Sequence, residues 1–233
     1  MSCIVIMSQS KFNICGAGHA THDTELIGTT IGNMWIFKYL QYAGQAGVYC
    51  TGQDVLSQAI ALQGSWEDRD TAVMKPILEN GDRNSLFIDV GSHIGWYTVM
   101  AAKLGYNVVA IDGDAENLRV LEMNLIENNI VDLVEIRHEW MDETTELQFD
   151  QDIELLKIDI EGNERHVISA LEGMIENNQI KHIYLEVSPE FNDTYPALMN
   201  RLSNKYDVYY DDGRPFDNDY SNGQINLLCK LRK

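Results

Sequence analysis

Two aspartates and two glycines stand at the ends of two short apolar runs in the middle of the chain. The run Leu86–Val90 contains Asp89 and leads into Gly91 and Gly95, and the next apolar run ends in Asp112. Glycine at such a turn lets a ligand approach the backbone closely. A carboxylate at the end of the second strand can accept hydrogen bonds from the two hydroxyls of a ribose. The arrangement indicates a nucleoside-binding unit.

The glycine spacing distinguishes between two nucleoside cofactors. A dinucleotide-binding turn has a second glycine two positions after the first, which helps to cradle a pyrophosphate. Here that position is His93. S-adenosylmethionine has no phosphate and needs no such cradle. The turn therefore favours S-adenosylmethionine over NAD, and an NAD-dependent oxidoreductase is the weakest alternative.

Further polar side chains follow later apolar runs, where they would surround a methyl group to be transferred. An alcohol acceptor needs a positioned base and close alignment of the reactants. Asp159 is the first candidate for the base or for a hydroxyl ligand, followed by Glu161 and Glu186. Lys157 lies in an apolar run and would need a carboxylate partner if buried. His166 is a further candidate because imidazole titrates near neutral pH.

These candidates also have structural interpretations. Asp159 could cap the helix expected from about Asn163 or bind the amino group of the donor, and Glu161 could simply favour the N-terminus of that helix. No metal site is assigned. Asp159, Glu161 and Glu186 would nevertheless form an oxygen-rich set of the kind that divalent cations prefer.

Alternating apolar runs and amphipathic segments must position these residues. Buried parallel strands with helices on both faces are expected from this pattern. The expected strands are 86–90, 107–112, 133–136, 155–160 and 182–187, and the expected helices are 94–104, 115–128 and 163–175. Strands 206–210 and 225–231 have no helix between them and predict an antiparallel edge. Upstream, a hairpin of strands 34–39 and 47–50 is expected before helices that begin at Asp54 and at Trp66.

Three segments in order resemble the FkbM-type methyltransferase family. They are Phe87-Ile88-Asp89-Val90-Gly91-Ser92-His93-Ile94-Gly95-Trp96-Tyr97, then Leu155-Leu156-Lys157-Ile158-Asp159-Ile160-Glu161-Gly162-Asn163-Glu164, then Tyr184-Leu185-Glu186-Val187. Gly64-Ser65-Trp66-Glu67 is similar to the entry into the family's core. The resemblance implies an α/β fold, the Rossmann-like class I methyltransferase fold. Its mostly parallel seven-stranded sheet would carry an antiparallel C-terminal edge hairpin. We expect an N-terminal extension over residues 1–64 and the methyltransferase domain over residues 65–233.

The resemblance also implies a function. A methyl group would pass from S-adenosylmethionine to a hydroxyl of a sugar, a glycan or a small hydroxylated metabolite. The residues expected to contact the donor are Glu67, Asp89, Gly91, Ser92, His93, Gly95, Tyr97, Asp112, Glu139 and Trp140. One alternative is a nucleoside-binding protein of the same fold without turnover. Another is a methyltransferase acting on nitrogen.

The charge and the apolar content of the chain indicate which partners and which location in the cell to expect. The chain has 36 acidic and 17 basic residues and a formal net charge of −19, which would on average repel nucleic acid and anionic membranes. We therefore expect a small-molecule or glycan acceptor, no nucleic-acid partner and no membrane association. No apolar run is long enough to span a bilayer, and a secretory signal is not evident, so a cytoplasmic location is expected. The four cysteines lack the spacing of a zinc or redox motif.

Overall fold

The computed structural model describes residues 11–13, 21–37, 54–187, 195–219 and 223–232. The strands are β1 (Lys11–Asn13), β2 (Thr21–Gly28), β3 (Asn33–Phe37), β4 (Leu86–Val90), β5 (Asn107–Asp112), β6 (Val134–His138), β7 (Ile153–Ile158), β8 (Ile180–Val187), β9 (Tyr206–Tyr210) and β10 (Ile225–Leu231). The α-helices are α1 (Val55–Gln63), α2 (Asp68–Asn80), α3 (Trp96–Lys103), α4 (Ala115–Glu127), α5 (Glu164–Ala170), α6 (Glu172–Glu176) and α7 (Tyr195–Ser203). A short 3-10 helix, Val131–Leu133, precedes β6.

Seven strands form the central sheet in the order β6-β5-β4-β7-β8-β10-β9. Strands β4 to β8 pair in parallel, whereas β10 is antiparallel to both β8 and β9. This confirms the predicted mostly parallel sheet with a C-terminal antiparallel hairpin. Because β4, β5, β7 and β8 are parallel, their carboxyl ends meet at one edge of the sheet, where ligands bind in open α/β sheets.

Two apolar layers cover the two faces of the sheet. Every residue of β4 and of β7 is buried, as expected of strands covered on both sides. Side chains alternate along β4: Phe87 packs into the layer that contains α2, α3 and α4, and Ile88 into the layer that contains α5, α6 and α7. These layers hold the strand ends rigidly, so side chains placed there have fixed positions.

Strands β1, β2 and β3 form a separate three-stranded antiparallel sheet. The strand predicted at 34–39 is observed as β3, and it pairs with β2, while the predicted partner 47–50 lies outside the described residues. Trp35 joins the core layer of α4, and the Asn124 side-chain amide of α4 accepts from its N–H and donates to its carbonyl oxygen. The domain boundary near Gly64 stays a prediction.

Several helices differ from the predicted bounds. The helix predicted over 163–175 is two helices because Leu171 between them leaves helical geometry, with φ −101 and ψ 12. Helix α2 begins at Asp68 rather than Trp66 because Glu67 adopts a left-handed conformation, with φ +42. In the described part of the chain, Asp54 makes no side-chain capping bond to α1; its carboxylate lies 3.5 Å from His93 Nε2. None of the helices described is long and apolar enough to cross a membrane.

Candidate active site

Glycine is required where β4 ends. Gly91 has φ +78, and a Cβ there would lie 1.8 Å from the carbonyl oxygen of Asp159, at the end of the neighbouring β7. Gly95 has φ +92 and stands immediately before α3, where a Cβ would lie 2.2 Å from Leu121 Cδ1. The first glycine therefore lets the ends of β4 and β7 meet, and the second lets α3 pack against α4.

Asp112 is fixed at the end of β5 by backbone donors. Its Oδ2 accepts from the His93 amide at 2.8 Å, and its Oδ1 accepts from the Asp114 amide at the same distance. The side chain of Asn117 also approaches Oδ1, at 3.5 Å. The carboxylate thus connects the glycine turn to β5 while it remains half-buried in an open cleft.

The cleft has a volume of about 220 Å³. Its lining is Val90, Gly91, Ile111, Asp112, Gly113, Asp114, Glu139, Trp140, Met141, Asp159, Ile160, Glu161 and Asn163. The Trp140 side chain is 69% exposed, and its ring lies so close to Gly113 that a Cβ on Gly113 would be 2.3 Å from it. Apolar walls for a purine beside a carboxylate for a ribose diol fit S-adenosylmethionine.

The other predicted donor residues lie outside this lining, and the donor contacts of both groups stay predictions. Asp89 is fully buried and accepts from Thr98 Oγ1 at 2.7 Å. The His93 ring faces Asp54, and Ser92 is buried in the turn. Glu67 and Tyr97 lie near Lys157, and the Tyr97 hydroxyl donates to Glu67 Oε2 at 2.7 Å.

Lys157 is the centre of a charged network beneath the cleft. Its Nζ lies 3.2 Å from Asp159 Oδ2, 3.2 Å from the Gly91 carbonyl oxygen and 3.6 Å from Asp89 Oδ1. The predicted pairing of Lys157 with a carboxylate is therefore observed. Burial lowers the pKa of Lys157, but Asp159, Asp89 and Glu67 together outweigh burial, so the pKa is raised and the ammonium stays charged.

Three carboxylates converge beside Lys157. Oxygen atoms of Glu67, Asp159 and Glu186 all lie within 4.8 Å of one another, so Glu67 occupies the place that the sequence prediction assigned to Glu161. Burial raises the pKa of Glu67 to about 6, although the hydrogen bond from Tyr97 lowers it. Burial, reinforced by Asp159 and Glu67, raises the pKa of Glu186 to about 8. Burial therefore favours the protonated form of Glu186.

These carboxylates line a small recess that also contains residues not predicted from the sequence. Its lining is Glu67, Asp70, Tyr97, Lys157, Ile158, Asp159, Tyr184, Glu186 and Asn226, around a volume of about 10 Å³. Asp70 accepts from the Tyr184 hydroxyl at 2.6 Å and from Asn226 Nδ2 at 2.9 Å. The sequence held one signal for Asp70, which lies three positions after Glu67 at the start of α2. Residues at that spacing on a helix face the same side. Asn226 could not be found without the register that pairs it with Glu186.

Asp159 lines both the cleft and the recess. Among the other catalytic candidates, Lys157 and Glu186 line the recess, and Glu161 is an exposed residue of the cleft with φ +54. His166 lies on α5 and lines a different surface depression, with Asp142, Glu143 and Glu146. The fold does not bring His166 to the carboxyl ends of β4, β7 and β8.

Residues 115–208 match the family model described as the methyltransferase FkbM domain. Over this range the chain is similar to the FkbM methyltransferase domain. The matched range contains Lys157, Asp159 and Glu186 and extends from α4 to β9. The protein is a methyltransferase, and S-adenosylmethionine is its methyl donor. No curated protein matches the sequence.

Solved structures share the fold at low sequence identity. An rRNA methylase from Streptococcus thermophilus is 15% identical with a TM-score of 0.54, covering 72% of this chain and 100% of that one. A TehB-like SAM-dependent methyltransferase from Corynebacterium glutamicum is 12% identical with a TM-score of 0.52, covering 75% and 94%. A 16S rRNA methyltransferase from T. thermophilus, in complex with AdoMet and guanosine, is 13% identical with a TM-score of 0.53, covering 92% and 52%. These similarities confirm the class I methyltransferase fold.

The expectation that nucleic acid is excluded as a partner is wrong. Several of the similar structures are rRNA methyltransferases. Net charge is summed over the whole chain, whereas phosphate contacts depend on local basic groups. A charge of −19 therefore does not decide the acceptor class of a domain with this fold.

Proposed function

We propose that the protein transfers the methyl group of S-adenosylmethionine to a hydroxyl group of its acceptor. The observation that carries this proposal is the position of Asp159, which lines the nucleoside-sized cleft on one side and the acidic recess on the other. A carboxylate between a donor site and an acceptor site can receive a hydroxyl proton during methyl transfer.

The proposed reaction is an in-line displacement. S-adenosylmethionine supplies a methyl carbon made electrophilic by its sulfonium. The acceptor oxygen bonds to that carbon as the carbon–sulfur bond breaks, which yields a methyl ether and S-adenosylhomocysteine. The hydroxyl proton passes to Asp159. An alcohol is a weak nucleophile, so removal of its proton by a positioned base accelerates transfer by roughly 100- to 10,000-fold.

Lys157 is proposed to prepare Asp159 for this step. Its ammonium is buried and lies 3.2 Å from Asp159 Oδ2, and this ion pair fixes the position of the carboxylate. The same ammonium donates to the Gly91 carbonyl oxygen, so one cation orders the base and the glycine turn together. Burial favours the protonated form of Glu186, which can donate a hydrogen bond within the recess.

The acceptor is proposed to be a sugar, a glycan or a small hydroxylated metabolite. The recess presents carboxyl, phenol and amide groups, which accept from hydroxyls and donate to them. In the cleft, Asp112 is proposed to hold the ribose and Trp140 the adenine of the donor. Asp112 lines the cleft from the end of β5, and Trp140 lines it from the segment after β6.

The test is to identify the atom that becomes methylated. We would incubate the protein with S-adenosylmethionine carrying a ¹³C-methyl group and with panels of glycosides, ribonucleosides, phenols and primary amines. NMR then distinguishes O-methyl from N-methyl products. We expect an O-methyl product that is lost in Asp159→Asn and retained in His166→Ala. Transfer to nitrogen alone, or donor binding without transfer to any hydroxyl compound, would reject the proposal.

A further inference from the structure

Asn226 on β10 holds its side-chain amide in one orientation at the border of the recess. Its Nδ2 donates to Asp70 Oδ2 at 2.9 Å, and the other oxygen of Asp70 accepts from the Tyr184 hydroxyl at 2.6 Å. Asp70 is only 7% exposed. Because the carboxylate accepts both bonds, the nitrogen of the amide faces Asp70, and the amide oxygen is directed elsewhere.

The amide oxygen of Asn226 is an unsatisfied acceptor. Oδ1 is buried and has no hydrogen-bond partner among the described residues. Buried polar atoms in native proteins are almost always paired, and each exception calls for an explanation. A hydroxyl or N–H of a ligand in the recess would supply the missing donor.

Asn226 also lines a second, wider groove, of about 220 Å³, on the outer side of the recess. The remaining lining consists of Arg69, Tyr210, Asp211, Asp212, Arg214, Gln224 and Ile225. The three spaces therefore follow one another, since Asp159 is shared by cleft and recess and Asn226 by recess and groove. A ligand whose hydroxyl reaches Asp159 and whose remainder lies in the groove would therefore pass Asn226.

The chemistry of the groove specifies what it would bind. Arg69 Nε pairs with Asp211 Oδ2 at 2.8 Å, and Arg214 Nε pairs with Asp212 Oδ2 at 2.7 Å. The two cations and two carboxylates balance in charge, and both arginine side chains are largely exposed. Guanidinium groups donate and carboxylates accept, so adjacent hydroxyls of a neutral ligand can be matched in both roles. The Arg214 guanidinium is held 4.9 Å above the Tyr210 ring.

We infer that the acceptor is a neutral saccharide of at least two linked units, and that Asn226 and Arg214 select it. Only the hydroxyl to be methylated enters the recess, whose volume of about 10 Å³ is too small for a sugar ring, and the next unit lies in the groove. A hydroxyl near the linkage donates to Asn226 Oδ1. This inference rests on the proposed hydroxyl methylation and adds the extended acceptor site and the residues that determine specificity.

The experiment measures binding of the full chain, loaded with S-adenosylhomocysteine, to an array of neutral oligosaccharides and of the matching monosaccharide glycosides. We expect oligosaccharides to bind roughly tenfold or more tightly than their monosaccharides. A hydrogen bond from Arg214 to a hydroxyl is charge-assisted, and one from a hydroxyl to Asn226 satisfies a buried acceptor. Arg214→Ala and Asn226→Leu should remove this preference without changing S-adenosylmethionine affinity.

Arg232→Ala is the matched control, because Arg232 is also exposed and pairs through Nε with Asp207 Oδ1 at 2.7 Å, next to the other end of β9. Arg214→Ala is on the surface, so it keeps the test decisive if Asn226→Leu does not fold. The inference is overturned if no saccharide binds, if single and linked units bind equally, if Arg214→Ala behaves like Arg232→Ala, or if only RNA oligonucleotides bind. Saccharide binding with methyl transfer to nitrogen would instead reject the proposed function and leave the groove assignment standing.

Discussion

The donor cleft and the acidic recess meet at Asp159 but are built in different ways. The cleft is formed by backbone turns and by residues that directly follow β4, β5, β6 and β7. The recess is formed by side chains from α2, α3, β7, β8 and β10 that converge from distant parts of the chain. A cofactor site made of strand ends is common to a fold, whereas an acceptor site made of side chains can vary without altering the sheet. The difference suggests that substitutions should separate donor binding from acceptor selection.

The largest expected effect comes from adding a side chain at Gly91, in the glycine turn of the cleft. Gly91→Ala would place a Cβ 1.8 Å from the Asp159 carbonyl oxygen, so we expect loss of donor binding and destabilisation of roughly 3 kcal/mol or more. Calorimetry and denaturant unfolding measure the two effects. Gly105→Ala is the control: φ is also positive, at +92, but no described atom lies within 4 Å of the added Cβ. Equal effects of both variants would show that backbone strain alone, not the contact with β7, explains the glycine.

The next effect concerns the cleft alone. Asp112→Ala removes the acceptor of the His93 and Asp114 amides and the proposed ribose ligand. We expect the S-adenosylmethionine dissociation constant to rise by roughly 10- to 100-fold, while the acceptor KM at saturating donor is unchanged. Trp140→Ala, which removes the proposed adenine wall, should raise the constant by roughly tenfold. A rise in acceptor KM of the same size would contradict the separation of the two sites.

The opposite pattern is expected for the recess. Tyr184→Phe removes only the hydroxyl that donates to Asp70 at 2.6 Å and so loosens the support of Asn226. We expect the acceptor KM to rise by roughly three- to tenfold, with donor affinity at the wild-type value. Tyr206→Phe is a matched control, since its buried hydroxyl donates to the Ile180 carbonyl oxygen, away from the recess. Weaker donor binding in Tyr184→Phe would show that the two sites are not independent.

The last expected effect is a pH dependence of stability in the recess. The pKa of Glu186 is raised from 4.5 to about 8, chiefly by burial. The folded protein therefore retains a proton that the unfolded chain releases, and this contribution, present at low pH, is lost as pH rises through 8. From pH 5 to 9 we expect wild type to lose on the order of 1–3 kcal/mol relative to Glu186→Gln. Urea unfolding at several pH values measures this loss of stability, with Glu122→Gln on α4 as the control. Parallel pH profiles of wild type and Glu186→Gln would contradict the raised pKa of Glu186.

The cleft could largely be predicted from the sequence because its residues follow recognisable strands. Gly91, Asp112 and Trp140 each come within a few residues of a strand end, so local pattern and parallel pairing were sufficient. The bounds of β5, β9 and β10 were predicted for the same reason. Their apolar content marks them as strands without knowledge of their neighbours.

The recess could be predicted only in part because long-range packing forms it. Asp159 follows β7 and Glu186 lies near the end of β8, but Glu67 and Asp70 reach them from the start of α2, and Asn226 reaches them through the register of β10 against β8. His166 shows the converse. Its imidazole made it a candidate base, but His166 lies on α5 at a separate depression.

The most direct test of the central claim compares turnover and donor affinity in Asp159→Asn. Asparagine keeps the shape of the side chain but cannot accept the hydroxyl proton. Using the hydroxyl acceptor found with the methylation panel, we predict that kcat falls by roughly 100- to 10,000-fold and that the S-adenosylmethionine dissociation constant stays close to wild type. Wild-type turnover in this variant, or loss of donor binding that accounts for the whole loss of activity, would contradict the placement of the base between the two sites.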